Sequence, residues 1–414
     1  MSKKRNVYLF GAGAVIDWEG PKTPEITEVF LKSGFKCSDK ETRITYRIHQ
    51  ELLKNGWGDS EVNFELILGV IEDLIGYYLT NQSAKSSVLR CFLRENETLI
   101  KLFPVVFPFD DEEKEILLLP NNEEYEKLNF SNNNQGKAKF LNFLLVDLIT
   151  TISSHIPAYS YYSEFKKDVI EKETNQKLNN DFFEWMNKEN SIKRMYTLNY
   201  DYLFKKILEN RDAEVFDGFN LNDPKGNEEF EPDLYKICSD FDSNIHYNLH
   251  GSIWWRPKRN QGFGLNGAKF TKTAFTEFLS NEYHEGFPVL EIENGREIIL
   301  SNIISGTNKT LRTAISPFRQ MLSAFDRDCI TADNLFIVGY SFSDGHLNEI
   351  INIALEENRD LNIHVIDPIL ESKNLDDHLP SNLKRNFYHA SIAEKVFQHK
   401  MNFKDYLRNE SEHS

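Results

Sequence analysis

Paired cysteines are missing from this chain. Cys37, Cys91, Cys238 and Cys329 stand far apart and form no CxxC motif. A zinc ribbon needs two such pairs to set four thiolates around one ion, so no structural metal is expected. A disulfide framework is the device of small secreted domains, whereas 414 residues bury a core without one. The isolated thiols suit a reducing cytoplasm. Long apolar runs are missing too. Before the first glycine only Val7-Tyr8-Leu9-Phe10 is continuously apolar, too short for a signal-peptide core or a membrane span. Basic residues are in deficit, 48 Lys and Arg against 64 Asp and Glu, for a formal charge of −16. Such a surface repels phosphate backbones, so direct nucleic-acid binding is not expected. The expectation is a cytoplasmic protein that touches no membrane.

What is present alternates. Val7–Phe10 reads as a buried parallel strand running into Gly11-Ala12-Gly13-Ala14. A helix follows over Thr23–Leu31, with Thr23 or Asp17 as candidate caps. From Asp59 to Phe103 the period is helical, with Phe64, Ile67, Leu68, Ile71 and Leu74 on one face. Segment 118–137 is polar and aperiodic and reads as a loop or hinge; helical patterns return over 138–156 and near 178–188. Residues 60–189 are therefore read as a helical insertion domain, within an α/β domain made of 1–59 and 190–414. Strands are expected at Ile192–Leu198, Ile245–Leu249, Ile298–Ile304, Leu335–Val338 and Leu361–Ile366. Helices are expected after Asp201 through Leu208, over 310–325 and over 344–356, and a mobile polar loop over 256–269. The fold class is α/β: a Rossmann-like parallel sheet with helices on both faces and a mainly helical insertion.

In an open parallel sheet, ligands sit beyond the carboxyl ends of the strands. Polar or glycine-bearing signatures stand at several of these ends. Gly11-Ala12-Gly13 offers backbone N–H groups to a diphosphate, or is simply a tight strand–helix turn. Ile16 occupies the place of a third glycine, which disfavours the dehydrogenase fingerprint. Asn199 can hold a ribose hydroxyl or a water, and Asp201 can accept from a carboxamide; the plainer alternative is an Asx turn starting the next helix. His250, at a strand end beside Gly251, is a candidate general base, whereas His246 inside the strand reads as a packing or surface residue. Gly339 and Ser341 look like a second phosphate or ribose contact, with Ser343 or Asp344 a possible helix cap. Asp367 is placed to accept from ribose hydroxyls or to make an Asp-Pro turn.

Taken in order, GAG at 11–13, TLNYD at 197–201, NLHGS at 248–252 and VGYSFSD at 338–344 resemble the sirtuin-like family found in bacterial antiphage defence proteins. The resemblance spans about residues 5–20 and 190–370, with Val62-Asn63-Phe64-Glu65 a weaker match. It implies an NAD-binding domain in which Gly11, Ala12 and Gly13 grip the diphosphate and Asn199 and Asp201 lie beside the nicotinamide ribose and carboxamide. His250 takes the place of the family's histidine, and Gly339, Ser341 and Asp367 contact the nucleotide; Asp17 is kept as a further candidate NAD contact. Two departures matter. Val15 stands where the family often has Ser, and the four-cysteine zinc module of the protein deacylases has no counterpart. The implied activity is therefore hydrolysis of NAD to nicotinamide and ADP-ribose, depleting NAD in antiphage defence by abortive infection. Gating is expected through homo-oligomerisation or a partner such as a HerA-type ring ATPase. A non-catalytic NAD or ADP-ribose sensor, an ADP-ribosyltransferase and a deacylase are the alternatives.

Overall fold

The computed structural model describes residues 3–37, 39, 41–59, 61–79, 102, 134–155, 169–220, 229–259, 267–273, 286–291, 297–304 and 309–412. Its centre is a sheet of six parallel strands: β1 Lys4–Phe10, β2 Ser191–Thr197, β3 Ile245–Asn248, β4 Asn334–Val338, β5 Asn362–Ile366 and β6 Val396–His399. The spatial order is 3-2-1-4-5-6. After β3 the winding restarts on the other side of β1, so a crevice opens at the carboxyl ends of β1 and β4.

Strands covered on both faces read as unbroken apolar runs, and β1 is the case in point: Val7 to Phe10 are each at most 2% exposed. Alternate side chains then serve opposite faces. Phe10 meets Phe204 at 4.1 Å between ring centroids, with Phe182 and Phe403 around it, so helices Glu173–Asn187, Leu203–Glu209 and Phe403–Glu412 cover that face. On the other face Tyr196 packs on Phe325 and donates to Asp328, which also pairs with Arg194. Helix Phe318–Ile330 lies there, with Gly345–Glu357 and then Ser381–Ile392 packed beyond it.

Described residues of the 60–189 stretch are mainly helical. Phe64–Leu79 packs along Asn134–His155 and buries Phe64, Ile67, Leu68 and Ile71, with Leu74 half-buried. Expected boundaries shift in several places. Residues 134–137 are helical, not loop, while 118–133 and 80–101 fall outside the described residues. Within 256–269, residues up to Arg259 belong to a strand, Trp255–Arg259, that pairs antiparallel with Ala268–Thr273. Tertiary packing overrode the polar composition there: Trp255 is fully buried against Phe219 and Phe318. Glu297–Ile299 pairs antiparallel with Val289–Glu291 and stays outside the main sheet. The helix expected over 310–325 is split into Lys309–Arg312 and Phe318–Ile330, because Pro317 has no N–H to continue a helix and starts the second one instead. Helix Thr23–Leu31 is capped by neither Thr23 nor Asp17; its cap residue is Lys22, whose N–H is held by the Glu25 carboxylate at 2.9 Å. β6 was not expected at all.

Candidate active site

Two glycine turns cross at the head of the crevice. Gly11 N–H donates to Val338 O at 2.9 Å and Gly13 N–H to Gly339 O at 3.0 Å, while Ala14 N–H folds back to Gly11 O. Those amides are thus spent on the neighbouring turn and do not form the diphosphate cradle expected of them. Ala12, exposed on the crevice side, carries the amide of this turn for which no described residue supplies an acceptor. What the glycines provide is room for close approach. Gly339 has φ of 58°, and a β-carbon on it would lie 2.5 Å from Gly13 Cα.

Beside this crossing lies a cavity walled by Ala12, Val15 and Trp18, by Phe64 and Glu65 of the helical stretch, and by Asn199, Tyr200 and Asp201. Asn199 Nδ2 donates to Gly11 O at 3.1 Å, and no described residue donates to its Oδ1. The loop is clamped from the next strand end. Asn248 Nδ2 donates to Asn199 O (3.0 Å) and Asp201 O (2.7 Å), and Ser252 Oγ donates to Tyr200 O (3.0 Å).

Asp201 takes both roles open to it. Its Oδ1 accepts from Leu203 N–H at 2.8 Å, the Asx turn that starts helix Leu203–Glu209, and it also lines the cavity. Burial pushes its carboxyl up to about 7, against the Leu203 bond and the charge of Lys206. A raised acid stabilises the fold below its unfolded value near 4 and loses that contribution as pH rises through 7. Asp201→Asn keeps the acceptor for Leu203 but never ionises. We expect it to match the wild type at pH 4 and to exceed it at pH 8 by on the order of 2–4 kcal/mol in urea unfolding. A pH-independent difference between the two proteins contradicts the shift.

His250 is 2% exposed, and no described residue hydrogen-bonds its Nε2. Burial pulls it down to about 3, with Asp344 acting in the opposite sense, so the ring is neutral at pH 7. It does not wall the cavity beside Asn199 and Asp201; its ring lies 6.2 Å from that of His346. Gly251, at φ 84°, lets the chain turn away beneath it. His246 is fully buried, no described residue bonds either ring nitrogen, and it is a packing residue.

A charged chain that local spacing did not reveal ties these parts together. Lys309 Nζ lies 2.9 Å from Asp344 Oδ1 and 2.9 Å from Glu65 Oε2, and Tyr200 OH donates to Glu65 Oε1 at 3.3 Å. Burial opposes charge on Asp344, but His250 and Lys309 outweigh it and hold the carboxyl below the ordinary range. Asp344 does stand at the cap of helix Gly345–Glu357, yet its side chain makes no cap bond. Ser341 is exposed, and among the described residues its hydroxyl bonds Ser343 Oγ, at 3.0 Å.

Two candidates are engaged elsewhere. Asp17 Oδ2 accepts from Lys404 N–H at 2.9 Å, in the first turn of helix Phe403–Glu412, and it is not a cavity wall. Unpaired amides at a helix start attract an acid, which is why it is there. Asp367 Oδ1 accepts from Ile369 N–H at 2.9 Å and caps the short turn Pro368–Glu371. Removing that cap by Asp367→Ala is expected to cost about 1 kcal/mol, read as a lower urea midpoint.

Residues 193–386 match the SIR2-like domain family. That span includes Asn199, Asp201, His250, Lys309, Gly339, Asp344 and Asp367, and leaves out the first glycine turn and Glu65. No curated protein matches the chain. Among solved structures it is similar to Sir2Tm bound to a propionylated peptide, at 9% identity and a TM-score of 0.38, over 100% of this chain and 94% of that one. It is also similar to a Sir2 homolog–NAD complex, at 10% identity and a TM-score of 0.38, over 100% of this chain and 90% of the other.

Proposed function

We propose, from the match of residues 193–386 to the SIR2-like domain family, that the protein binds NAD in the crevice at the β1/β4 switch and hydrolyses its nicotinamide–ribose bond. The observation that carries this is the placement of Asn199 and Asp201 on a cavity beside the crossed glycine turns, with a neutral His250, to whose Nε2 no described residue bonds, at the neighbouring strand end.

In this reading Asp201 holds the carboxamide and Asn199 Oδ1 positions the attacking water. The C1′–N bond breaks with its electron pair leaving on nicotinamide, and the water oxygen bonds C1′. The water proton passes to His250 directly or through a ribose hydroxyl. Asp344, anchored by Lys309, stabilises the imidazolium that results. Ala12 N–H meets the diphosphate, Gly11, Gly13 and Gly339 leave room for it with Ser341 alongside, and Asp367 meets the adenosine ribose through Oδ2, the oxygen its cap bond does not use. The glycohydrolase reading, over the deacylase one, leans on cysteine spacing that offers no zinc module. The same cleavage, unchecked, would drain a cell of NAD. Antiphage defence gated by self-assembly or by a HerA-type ring ATPase is the setting we propose.

The test is incubation of the purified chain with NAD and separation of the products. Equal release of nicotinamide and ADP-ribose is expected. NAD bound but never consumed, with assembly or partner supplied, marks a sensor instead, and ADP-ribose found on protein marks a transferase.

A further inference from the structure

We propose a second small-molecule site, at the end of the sheet opposite the crevice, for a neutral nucleobase or nucleoside. It rests on a cavity of about 360 Å³ over the starting halves of β1, β4, β5 and β6, within the range of small-ligand pockets.

Its floor is two aligned rows. Tyr8, Phe336, His364 and Phe397 occupy one register across the four strands and stack, with centroids 5.0, 4.5 and 4.7 Å apart and planes within 18° of parallel. Rings stacked at strand spacing stand upright on the sheet and offer their positively polarised edges to whatever lies above. Two positions earlier on the same face, Asn334 Nδ2 donates to Asn6 Oδ1 (2.8 Å) and Asn362 Nδ2 to Asn334 Oδ1 (3.3 Å). The row ends at Asn362 Oδ1, to which no described residue donates.

How a flat ring seats on this floor is already shown. Trp185 crosses Tyr8 at 81° and Phe336 at 88°, with centroids at 5.3 and 5.4 Å. It covers the first two rungs. Across His364 and Phe397 no described aromatic is seated in this manner, and Phe397 is 41% exposed. A second planar ring laid there continues the Trp185 contact.

Charge and hydrogen bonding narrow the ligand. The rim lysines are already matched, Lys4 with Glu189 and Lys188 with Glu410, each at 3.1 Å, so the rim recruits no net charge. His364 Nδ1 and His399 Nε2 lie 3.2 Å apart, within hydrogen-bond distance; burial followed by the His399 neighbour holds His364 down to about 4, and burial lowers His399 too, which disfavours charge on both rings. A neutral ring with an amide-type edge satisfies Asn362 Oδ1 and stacks without a charge cost. Nucleobases have that chemistry.

Calorimetric titration of the full chain with inosine and with uridine tests it. Millimolar or tighter binding is expected for at least one. Phe397→Ala, on an exposed edge position, and Asn362→Leu should each weaken it by about tenfold. Both positions lie away from the crevice. Absence of binding at millimolar nucleoside, or wild-type affinity in either variant, overturns the proposal.

Discussion

In the proposed hydrolysis, His250→Ala is expected to lower NAD turnover by about 10²–10⁴-fold while leaving the affinity for NAD within a few-fold. The ring is buried and neutral, and no described residue bonds its Nε2, so an acceptor stands open there; burial weakens it as a base and the charge of Asp344 works against that loss. Its loss removes a contact needed in the transition state more than in the ground state, and such losses fall on kcat rather than on KM. Single-turnover rates and equilibrium binding, measured on the same variant, separate the two quantities. Undiminished turnover with intact binding would refute the role given to His250. The proximity of Asp344 adds a second signature: Asp344→Asn leaves the ring without its compensating charge and should lower kcat in the same direction by a smaller factor.

Gly339→Ala is expected to be the most damaging small substitution in the crevice, on the order of 2–5 kcal/mol. About 1–2 kcal/mol comes from forcing a side chain into left-handed backbone, and about 1–3 kcal/mol from overpacking. The obstructing atoms are the backbone of Gly13 and Ala14, which cannot rotate aside as a side chain can. Gly345→Ala, six residues on, is the control. A β-carbon there meets nothing within 4 Å and sits at the start of a helix, so its stability should remain within about 0.5 kcal/mol of the wild type. Equal urea midpoints for the two variants would show that the turns do not cross as described.

The reach of the sequence can be seen residue by residue. β1 and β4 were legible because strands covered on both faces are written as continuous apolar runs, here Val7–Phe10 and Leu335–Val338. β6 was not, because Val396–His399 is an edge strand with half-exposed, mixed side chains that carries no such run. Trp255–Arg259 was hidden by its proline and cationic residues; what buries its start is Trp255, packed on distant Phe219 and Phe318. Asn199, Asp201 and His250 could be placed just past strand ends from the apolar runs that precede them. The bridge from Glu65 through Lys309 to Asp344 could not be placed so, since it joins three separate stretches of chain and has no spacing to read. Asp17 misled for a related reason: an acid near a glycine turn looks like a ligand contact until the helix it serves, almost four hundred residues on, is in view.

The strand order also sets a timetable for biosynthesis. β1 leaves the ribosome first, yet its two neighbours are Ser191–Thr197 and Asn334–Val338. At about 5–20 residues per second, β4 emerges roughly 15–65 s after β1. Throughout that interval Val7–Phe10 has an open edge and Gly11 has no partner turn. A nascent chain therefore has no finished crevice until β4 is out, and the cleavage proposed above cannot begin before the two glycine turns have crossed.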